Sequence, residues 1–253
     1  MSTLKIAGLN LDISWKIKEE NFRKIENQFA STEADLFLLP EMFSTGFCME
    51  ADEVADRNEE SLTWMKTFAQ SKKSAVAGSV SVEDNGKFYN RFYFVFPDGS
   101  FEYYDKRHLF SYSGEDKIYT SGTERKIVDY KGFKILLQVC FDLRFPVFSR
   151  NQNDYDAILY VANWPKTRVD AWKSLLKARS IENQAFLFGL NRIGMDGYHL
   201  EYEESSLIYF PDGKEISERK NNLITTEWNL DELKEFRNKF PFLNERDEFE
   251  LNF

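Results

Sequence analysis

Three reactive side chains stand where predicted strands end. Cys140 follows the apolar run 134–139 and opens a turn-like stretch, Glu41 follows the run 35–39, and Lys106 follows the run 101–104. A side chain at the end of a buried strand is held rigidly at the edge of a sheet, where crevices form. An acid, a cation and a thiol in such positions are the parts that nucleophilic catalysis needs.

A cysteine is a useful nucleophile only as thiolate, and a free thiol with a pKa of about 8.5 is mostly protonated at neutral pH. Most cysteine hydrolases use histidine, but this chain has only His108 and His199. The Glu41 carboxylate can instead take the thiol proton and return it to a leaving amine. The Lys106 ammonium can stabilise the oxyanion of a tetrahedral intermediate, with the backbone N–H of Phe141 as second donor. This combination indicates acyl transfer from a C–N bond through a thioester.

Each of these residues also has an ordinary structural explanation. A cysteine in a core strand is usually an inert apolar side chain. Glu41 could cap a helix, and Lys106 could belong to a solvated basic face. The occurrence of all three at strand ends favours the catalytic interpretation.

The composition limits the class of protein. The 253 residues suit one large domain, 1–253, and 42% apolar residues are enough for a substantial core. The net charge of −9 argues against a nucleic-acid partner. No apolar stretch approaches the roughly 20 residues that span a membrane. Two cysteines, Cys48 and Cys140, give neither a disulfide framework nor a metal knuckle. We therefore expect a cytoplasmic protein that contacts neither nucleic acid nor membrane.

Hydrophobic periodicity predicts an α/β fold. Helices are predicted over 16–30, 60–70 and 169–183, and most of the remaining apolar runs have strand character. Turn signals at 85–86, 97–99, 131–132 and 211–213 separate strands into hairpins. Asn229 and Glu232 predict a capped helix through 237, whereas the tail 240–253 has no clear period and is expected to lie on the domain or at a dimer contact. Two βαβ-like halves predict two packed mixed sheets with helices outside.

Three segments, 39–43, 104–110 and 139–146, resemble in that order the Glu-Lys-Cys signatures of the nitrilase, or carbon–nitrogen hydrolase, superfamily. The motifs at 163–165, 168, 172, 178–184 and 191–194 resemble its omega-amidase branch. The resemblance extends from about residue 4 to the hairpin near residue 213. It implies a four-layer α-β-β-α sandwich, commonly a homodimer, that needs no metal or organic cofactor.

The resemblance also implies residue roles. Glu41 would be the general base, Lys106 the oxyanion stabiliser and Cys140 the nucleophile. Glu115 stands where many members have a second glutamate that orients the lysine. An exposed loop acid beside Asp116 is the alternative for Glu115.

Omega-amidases deamidate short dicarboxylic monoamides such as 2-oxoglutaramate and 2-oxosuccinamate. The far carboxylate of such a substrate needs a cationic receptor, because burying it unpaired is costly. Arg168 is the first candidate. Arg144 is the second, although a salt bridge that ties down the turn after Cys140 is expected for it.

Four aromatic residues are further candidates for the substrate pocket. Trp164 and Trp172 are expected to form an apolar wall, and Phe43 and Tyr112 to complete it. The segments 197–200 and 202–206 depart from the usual pattern of the family, so we expect a different pocket rim.

Other functions remain open at this point. The chain could be a different amidase, an N-carbamoyl amide hydrolase, or a binding protein that retains the fold without catalysis. A Cys-His hydrolase using His108 is disfavoured, because His108 and Lys106 share a strand face only if the strand continues.

Overall fold

The computed structural model describes residues 2–250. Helices are interspersed among runs of strands along the chain. The strands are β1 (Thr3–Leu9), β2 (Leu36–Leu38), β3 (Ala75–Asp84), β4 (Lys87–Val95), β5 (Phe101–Asp105), β6 (Ile127–Tyr130), β7 (Phe133–Val139), β8 (Ala157–Ala162), β9 (Phe186–Asn191), β10 (Gly194–Met195), β11 (Glu201–Tyr202), β12 (Leu207–Tyr209), β13 (Glu218–Lys220) and β14 (Leu223–Asn229).

The α-helices are α1 (Lys18–Gln28), α2 (Ala51–Val54), α3 (Glu60–Lys72), α4 (Glu115–Ile118), α5 (Pro146–Ser149), α6 (Val169–Asn183) and α7 (Leu230–Lys239). The three long helices expected near the start, before β3 and after β8 are confirmed. Helix α7 begins after Asn229, whose side chain accepts a hydrogen bond from the Asp231 N–H, and it continues two residues beyond the predicted end. The three one-turn helices, α2, α4 and α5, carry too few residues for a period to be visible in the sequence.

The strands form two large mixed sheets. The first has the order β13-β14-β1-β2-β3-β4-β5, and the second has the order β12-β9-β8-β7-β6. Strands β1, β2 and β3 are parallel, as are β7, β8 and β9. Strand β5 is antiparallel to β4, which is antiparallel to β3, so the carboxyl ends of β2 and β5 share one edge.

The apolar pattern of the strands explains the layers. Alternate residues of both sheets, for example Ile6 with Leu137, meet in one core between the sheets. The opposite face of the first sheet packs against α1 and α3 through residues such as Ile25 and Met65. The outer face of the second sheet packs against α6 through Leu176. The result is the expected α-β-β-α sandwich.

As far as it is described, the tail packs against the connection between α6 and β9. The Gln184 side chain donates to the Phe240 carbonyl and accepts from the Leu243 N–H. Leu243 lies in a one-turn 3₁₀-helix, Phe242–Glu245. Residues 251–253 of the expected dimer contact lie outside the described residues. Across 2–250, every helix is too short or too polar to cross a bilayer.

Candidate active site

The ends of four strands bring the site together. Glu41 follows β2, Lys106 follows β5, Cys140 follows β7 and Asn163 follows β8. The first two come from one sheet and the last two from the other, so the site lies where the carboxyl edges of both sheets meet. Lys106 and Cys140, which follow Glu41 by 65 and 99 positions in the chain, thus become its neighbours.

The Lys106 ammonium lies between two carboxylates. Its Nζ is 2.9 Å from Glu41 Oε1 and 2.9 Å from Glu115 Oε2, and none of the three side chains is exposed. Asn90 on β4 donates from Nδ2 to Glu41 at 2.8 Å and to Glu115 at 3.3 Å. The Phe110 N–H also donates to Glu115. Glu115 is therefore a buried member of the cluster, and the alternative of an exposed loop acid is excluded.

The second oxygen of Glu41 points to the other sheet. Glu41 Oε2 accepts the backbone N–H of Asn163 at 2.8 Å, while the Asn163 side chain donates to the Glu41 carbonyl at 2.6 Å. The Asn163 N–H on Oε2, with Asn90 Nδ2 and Lys106 Nζ on Oε1, fixes the position of the carboxylate. A fixed carboxylate is a better proton acceptor for a neighbouring group than a mobile one, since no reorganisation precedes the transfer.

Cys140 occupies a sharp turn between β7 and a one-turn helix, Cys140–Arg144. Its backbone φ is 45°, in the left-handed region that residues other than glycine rarely adopt. Such a conformation costs on the order of 1–3 kcal/mol and persists only where the surroundings enforce it. The turn leaves Cys140 partly exposed on the wall of a cavity.

Opposing influences set the protonation of the Cys140 thiol. Burial raises its pKa well above the ordinary value, the Glu41 carboxylate raises it further, and the Lys106 ammonium opposes both. The resting thiol is therefore protonated at neutral pH. A thiolate forms only when the proton moves to a neighbouring base.

The charge of Lys106 is held by its neighbours. Burial alone disfavours the ammonium, but Glu115 and Glu41 outweigh it and raise the pKa of Lys106. Burial raises the pKa of Glu115 despite the nearby ammonium, and the Glu41 carboxylate adds to this effect. Lys106 is thus a permanent cation across the physiological range.

The cavity beside Cys140 has a free volume of about 400 Å³. Lys106 and Cys140 lie on its wall beside an apolar surface. That surface contains Phe47, Met49, Phe110, Phe141, Trp164, Pro165 and Leu200. This volume lies towards the lower end of the range for small-molecule pockets, about 300–1,000 Å³.

The cavity rim is formed by the segments around Met49 and Tyr198. The Tyr198 hydroxyl donates to Glu50 at 2.9 Å and accepts from the Met49 N–H at 3.1 Å. Hydrogen bonds from Cys48 and Tyr198 lower the pKa of the Glu50 carboxyl to about 2. Tyr198 and Leu200, two bulky residues of the segment 197–200, line the cavity.

Two arginines also line the cavity. The Arg168 guanidinium lies 5.0 Å from the centre of the Phe110 ring, and that of Arg144 lies 5.2 Å from the Trp164 ring. Within residues 2–250 neither arginine forms an ion pair, so the salt bridge expected for Arg144 is wrong. The buried Asp142 carboxylate holds this turn instead, since it accepts the Val139 N–H at 2.9 Å.

Of the four aromatic candidates for the substrate pocket, one lines the cavity and three do not. Trp164 lines the cavity, whereas Trp172 is fully buried behind it and donates from Nε1 to the Ser205 carbonyl. Phe43 packs in the core between the first sheet and its helices. Tyr112 is 87% exposed and contacts only the edge of the wall at Phe110. Of the expected aromatic wall, Trp164 alone therefore lines the cavity.

His108 does not serve Cys140 directly. Its Nδ1 lies 2.8 Å from Asp142 Oδ1, and its ring stacks on Phe145 with centroids 3.9 Å apart. The geometry contradicts a Cys-His pair involving His108.

Comparison with known proteins identifies the family. The family model for carbon-nitrogen hydrolases matches residues 5–238, which is most of the chain. The chain belongs to the carbon–nitrogen hydrolase family. The resemblance seen in the sequence is thereby confirmed.

Individual members of the carbon–nitrogen hydrolase family are similar over nearly the full length. The omega-amidase YafV of Escherichia coli K12 is 42% identical, with 99% of this chain and 100% of the relative covered. The 2-oxoglutaramate amidase of Bacillus subtilis is 35% identical, with 95% and 96% covered. A solved carbon–nitrogen hydrolase superfamily structure from Xanthomonas campestris, with an arsenic adduct in its active site, superposes with a TM-score of 0.96 at 37% identity and covers both chains fully.

Sequence reasoning missed two polar residues of this carbon–nitrogen hydrolase site. Asn90 is fully buried in a strand rich in aromatic residues, and Asp142 is fully buried two residues after Cys140. A polar side chain inside an apolar strand, and an acid in the turn after a nucleophile, are the signals that could have found them. Buried polar groups need partners, so such residues indicate a network.

Proposed function

We propose that this carbon–nitrogen hydrolase is an omega-amidase that deamidates 2-oxoglutaramate and 2-oxosuccinamate to dicarboxylate and ammonia. One observation carries the proposal: a thiol, a buried carboxylate and a buried ammonium lie on or beside the same small cavity as two arginines without ion-pair partners among residues 2–250. The similarity to the omega-amidase of Escherichia coli and the 2-oxoglutaramate amidase of Bacillus subtilis supports it.

The first half-reaction forms a thioester. Glu41 accepts the proton of the Cys140 thiol, and the sulfur attacks the carbonyl carbon of the side-chain amide. The Lys106 ammonium and the Phe141 N–H donate to the resulting oxyanion. Glu41 then gives its proton to the amide nitrogen, the C–N bond breaks, and ammonia leaves.

The second half-reaction hydrolyses the thioester. Glu41 accepts a proton from a water molecule, whose oxygen attacks the thioester carbon. The new oxyanion is held by the same two donors. When the C–S bond breaks, Glu41 returns the proton to the Cys140 sulfur and the dicarboxylate is released. Glu115 keeps the Lys106 ammonium in place by its ion pair.

The two arginines account for a substrate with a distal carboxylate. Arg168 is the proposed receptor, because its guanidinium is held over the Phe110 ring at the cavity and has no acidic partner within residues 2–250. Arg144 is the second receptor, on the side of Trp164. Pairing with the carboxylate would satisfy cations that the described chain leaves unpaired, and planar guanidinium groups suit carboxylates well.

We further propose that the protein is a cytoplasmic homodimer. The scarcity of cysteines suits a reducing compartment. A single light-scattering measurement of molar mass after gel filtration tests the dimer, since the monomer mass is 29.9 kDa.

A substrate screen tests the proposed reaction. Ammonia release is measured from 2-oxoglutaramate, succinamate, butyramide and a carbamoyl amino acid. The proposal expects the highest kcat/KM for 2-oxoglutaramate and a much lower value for butyramide, which has no carboxylate. A preference for the carbamoyl compound would favour an N-carbamoyl hydrolase, and no ammonia from any substrate would favour a non-catalytic protein.

A further inference from the structure

The buried carboxylate of Asp142 joins the two halves of the catalytic site. Its Oδ2 accepts the Val139 N–H and the Tyr104 hydroxyl, each at 2.9 Å. Its Oδ1 accepts the His108 N–H at 2.9 Å and lies 2.8 Å from His108 Nδ1. Asp142 is fully buried, so these four partners account for both oxygens.

These partners lie on either side of the catalytic residues. Val139 precedes Cys140 and Asp142 follows it by two positions, while Tyr104 and His108 are two positions before and after Lys106. One carboxylate therefore binds the turn that carries the sulfur to both flanks of the lysine. The two segments belong to different sheets, and the interaction links their edges.

We propose that Asp142 is a positioning residue that sets the distance between the Cys140 sulfur and the Lys106 ammonium, and that His108 acts through Asp142. The inference rests on the proposed roles of Cys140 and Lys106. The left-handed φ of 45° at Cys140 makes such a restraint necessary, because the turn would relax if its hydrogen bonds were lost.

The His108 ring makes one hydrogen bond to the Asp142 carboxylate. An ionised carboxylate only accepts hydrogen bonds, so the proton of the ring is on Nδ1 and is donated to Asp142. The ring is held by stacking on Phe145 and by an edge contact with Phe148. In an asparagine at this position, Nδ2 takes nearly the place of histidine Nδ1, whereas alanine has no donor.

The main experiment compares Asp142→Asn with the wild type and with Asp56→Asn. Asp56 is also a buried aspartate; it accepts the Ser61 N–H and pairs with Lys18, so its replacement perturbs stability without touching the site. Asp142→Asn is expected to lower kcat by about 100-fold with KM changed less than about threefold, because a displacement near 1 Å has this effect. Asp56→Asn is expected to keep kcat at a comparable loss of Tm. Equal kcat values in the two variants would overturn the proposal.

A second series covers the case in which Asp142→Asn does not fold. His108→Ala is expected to lower kcat by on the order of 10-fold, and His108→Asn to restore most of it. If both variants are inactive, His108 takes part in proton transfer and the proposal is wrong. If both retain full activity, the contact to Asp142 has no positioning effect and the proposal is equally wrong.

A measurement without substrate separates this proposal from the proposed function. In a Cys48→Ala background, the pH midpoint of Cys140 alkylation by iodoacetamide reports the surroundings of the sulfur. Burial and Glu41 raise the thiol pKa in the intact turn and Lys106 lowers it, so a displaced sulfur in His108→Ala and Asp142→Asn is expected to shift this midpoint from that of the Cys48→Ala background. An unchanged midpoint would contradict the role of Asp142, even if the natural substrate proved to be a different amide.

Discussion

Glu41 Oε1 lies 2.9 Å from Lys106 Nζ, and neither side chain is exposed to solvent. Because two buried carboxylates share this one ammonium, removal of any member changes the charge felt by the others. The thiol of Cys140 is the neighbour on which such changes can be measured.

Replacement of Glu41 by Gln is expected to lower substrate turnover while making the Cys140 thiol easier to alkylate. Loss of the proton acceptor should lower kcat by about 10²–10⁴-fold. Burial and the Glu41 carboxylate both raise the pKa of Cys140, whereas Lys106 lowers it. Without the carboxylate the thiol pKa should therefore fall, and iodoacetamide should alkylate Cys140 at a lower pH than in the wild type. A midpoint that stays the same or rises would contradict the proximity of the two groups.

Replacement of Lys106 by Met is expected to destabilise the fold by about 3–5 kcal/mol at neutral pH, because two buried carboxylates lose their cation. Chemical unfolding at several pH values checks this. Lys126→Met is the control, since Lys126 forms a partly exposed ion pair with Glu102 and should cost less than about 1 kcal/mol.

The pH dependence of the Lys106→Met variant has a defined sign. Burial raises the pKa of Glu115 above its ordinary value of 4.5 already in the presence of Lys106. A carboxyl group whose pKa is higher in the folded than in the unfolded state stabilises the fold at pH values below its unfolded-state pKa. This stabilisation is lost as the pH rises through its folded-state pKa. The free energy of unfolding of the variant should thus increase as the pH falls from 8 towards 4.5. A flat profile would contradict the burial of the uncompensated carboxylates.

Replacement of Arg168 by Ala is expected to raise the KM for 2-oxoglutaramate by about 10–100-fold, the range for loss of a charged hydrogen bond. Arg144→Ala should have a smaller effect in the same direction. The kcat/KM for butyramide, which lacks the carboxylate, should change less than about threefold in both variants. An equal loss for both substrates would show that the arginines shape the cavity rather than bind a charge.

The sequence predicts the place of Glu41, Lys106 and Cys140 in the fold, because strand ends are recognisable from apolar runs. Glu41, Lys106 and Cys140 each follow such a run, and all three are placed in contact with one cluster or cavity. The two-sheet sandwich follows from the two βαβ-like halves that the apolar runs outline, with β1, β2 and β3 parallel in one sheet and β7, β8 and β9 parallel in the other.

The side chains that face the cavity are harder to predict, because local sequence does not define which face of a loop or helix is inward. Trp172 and Phe43 are apolar residues near the motifs, yet both pack in the core and do not line the cavity. Tyr112 follows Phe110 by two residues and points to solvent. Asp142 and Asn90 have partners on other strands that no local pattern indicates.

The role of Cys140 is tested most directly by the rate of ammonia release from 2-oxoglutaramate by Cys140→Ala, with Cys48→Ala as control. Cys48 is the only other cysteine of the chain, and its thiol donates to Glu50. We expect no release above the uncatalysed rate from Cys140→Ala, a Tm close to that of the wild type, and nearly full activity of Cys48→Ala. Ammonia release by folded Cys140→Ala at the wild-type rate would contradict the thioester mechanism.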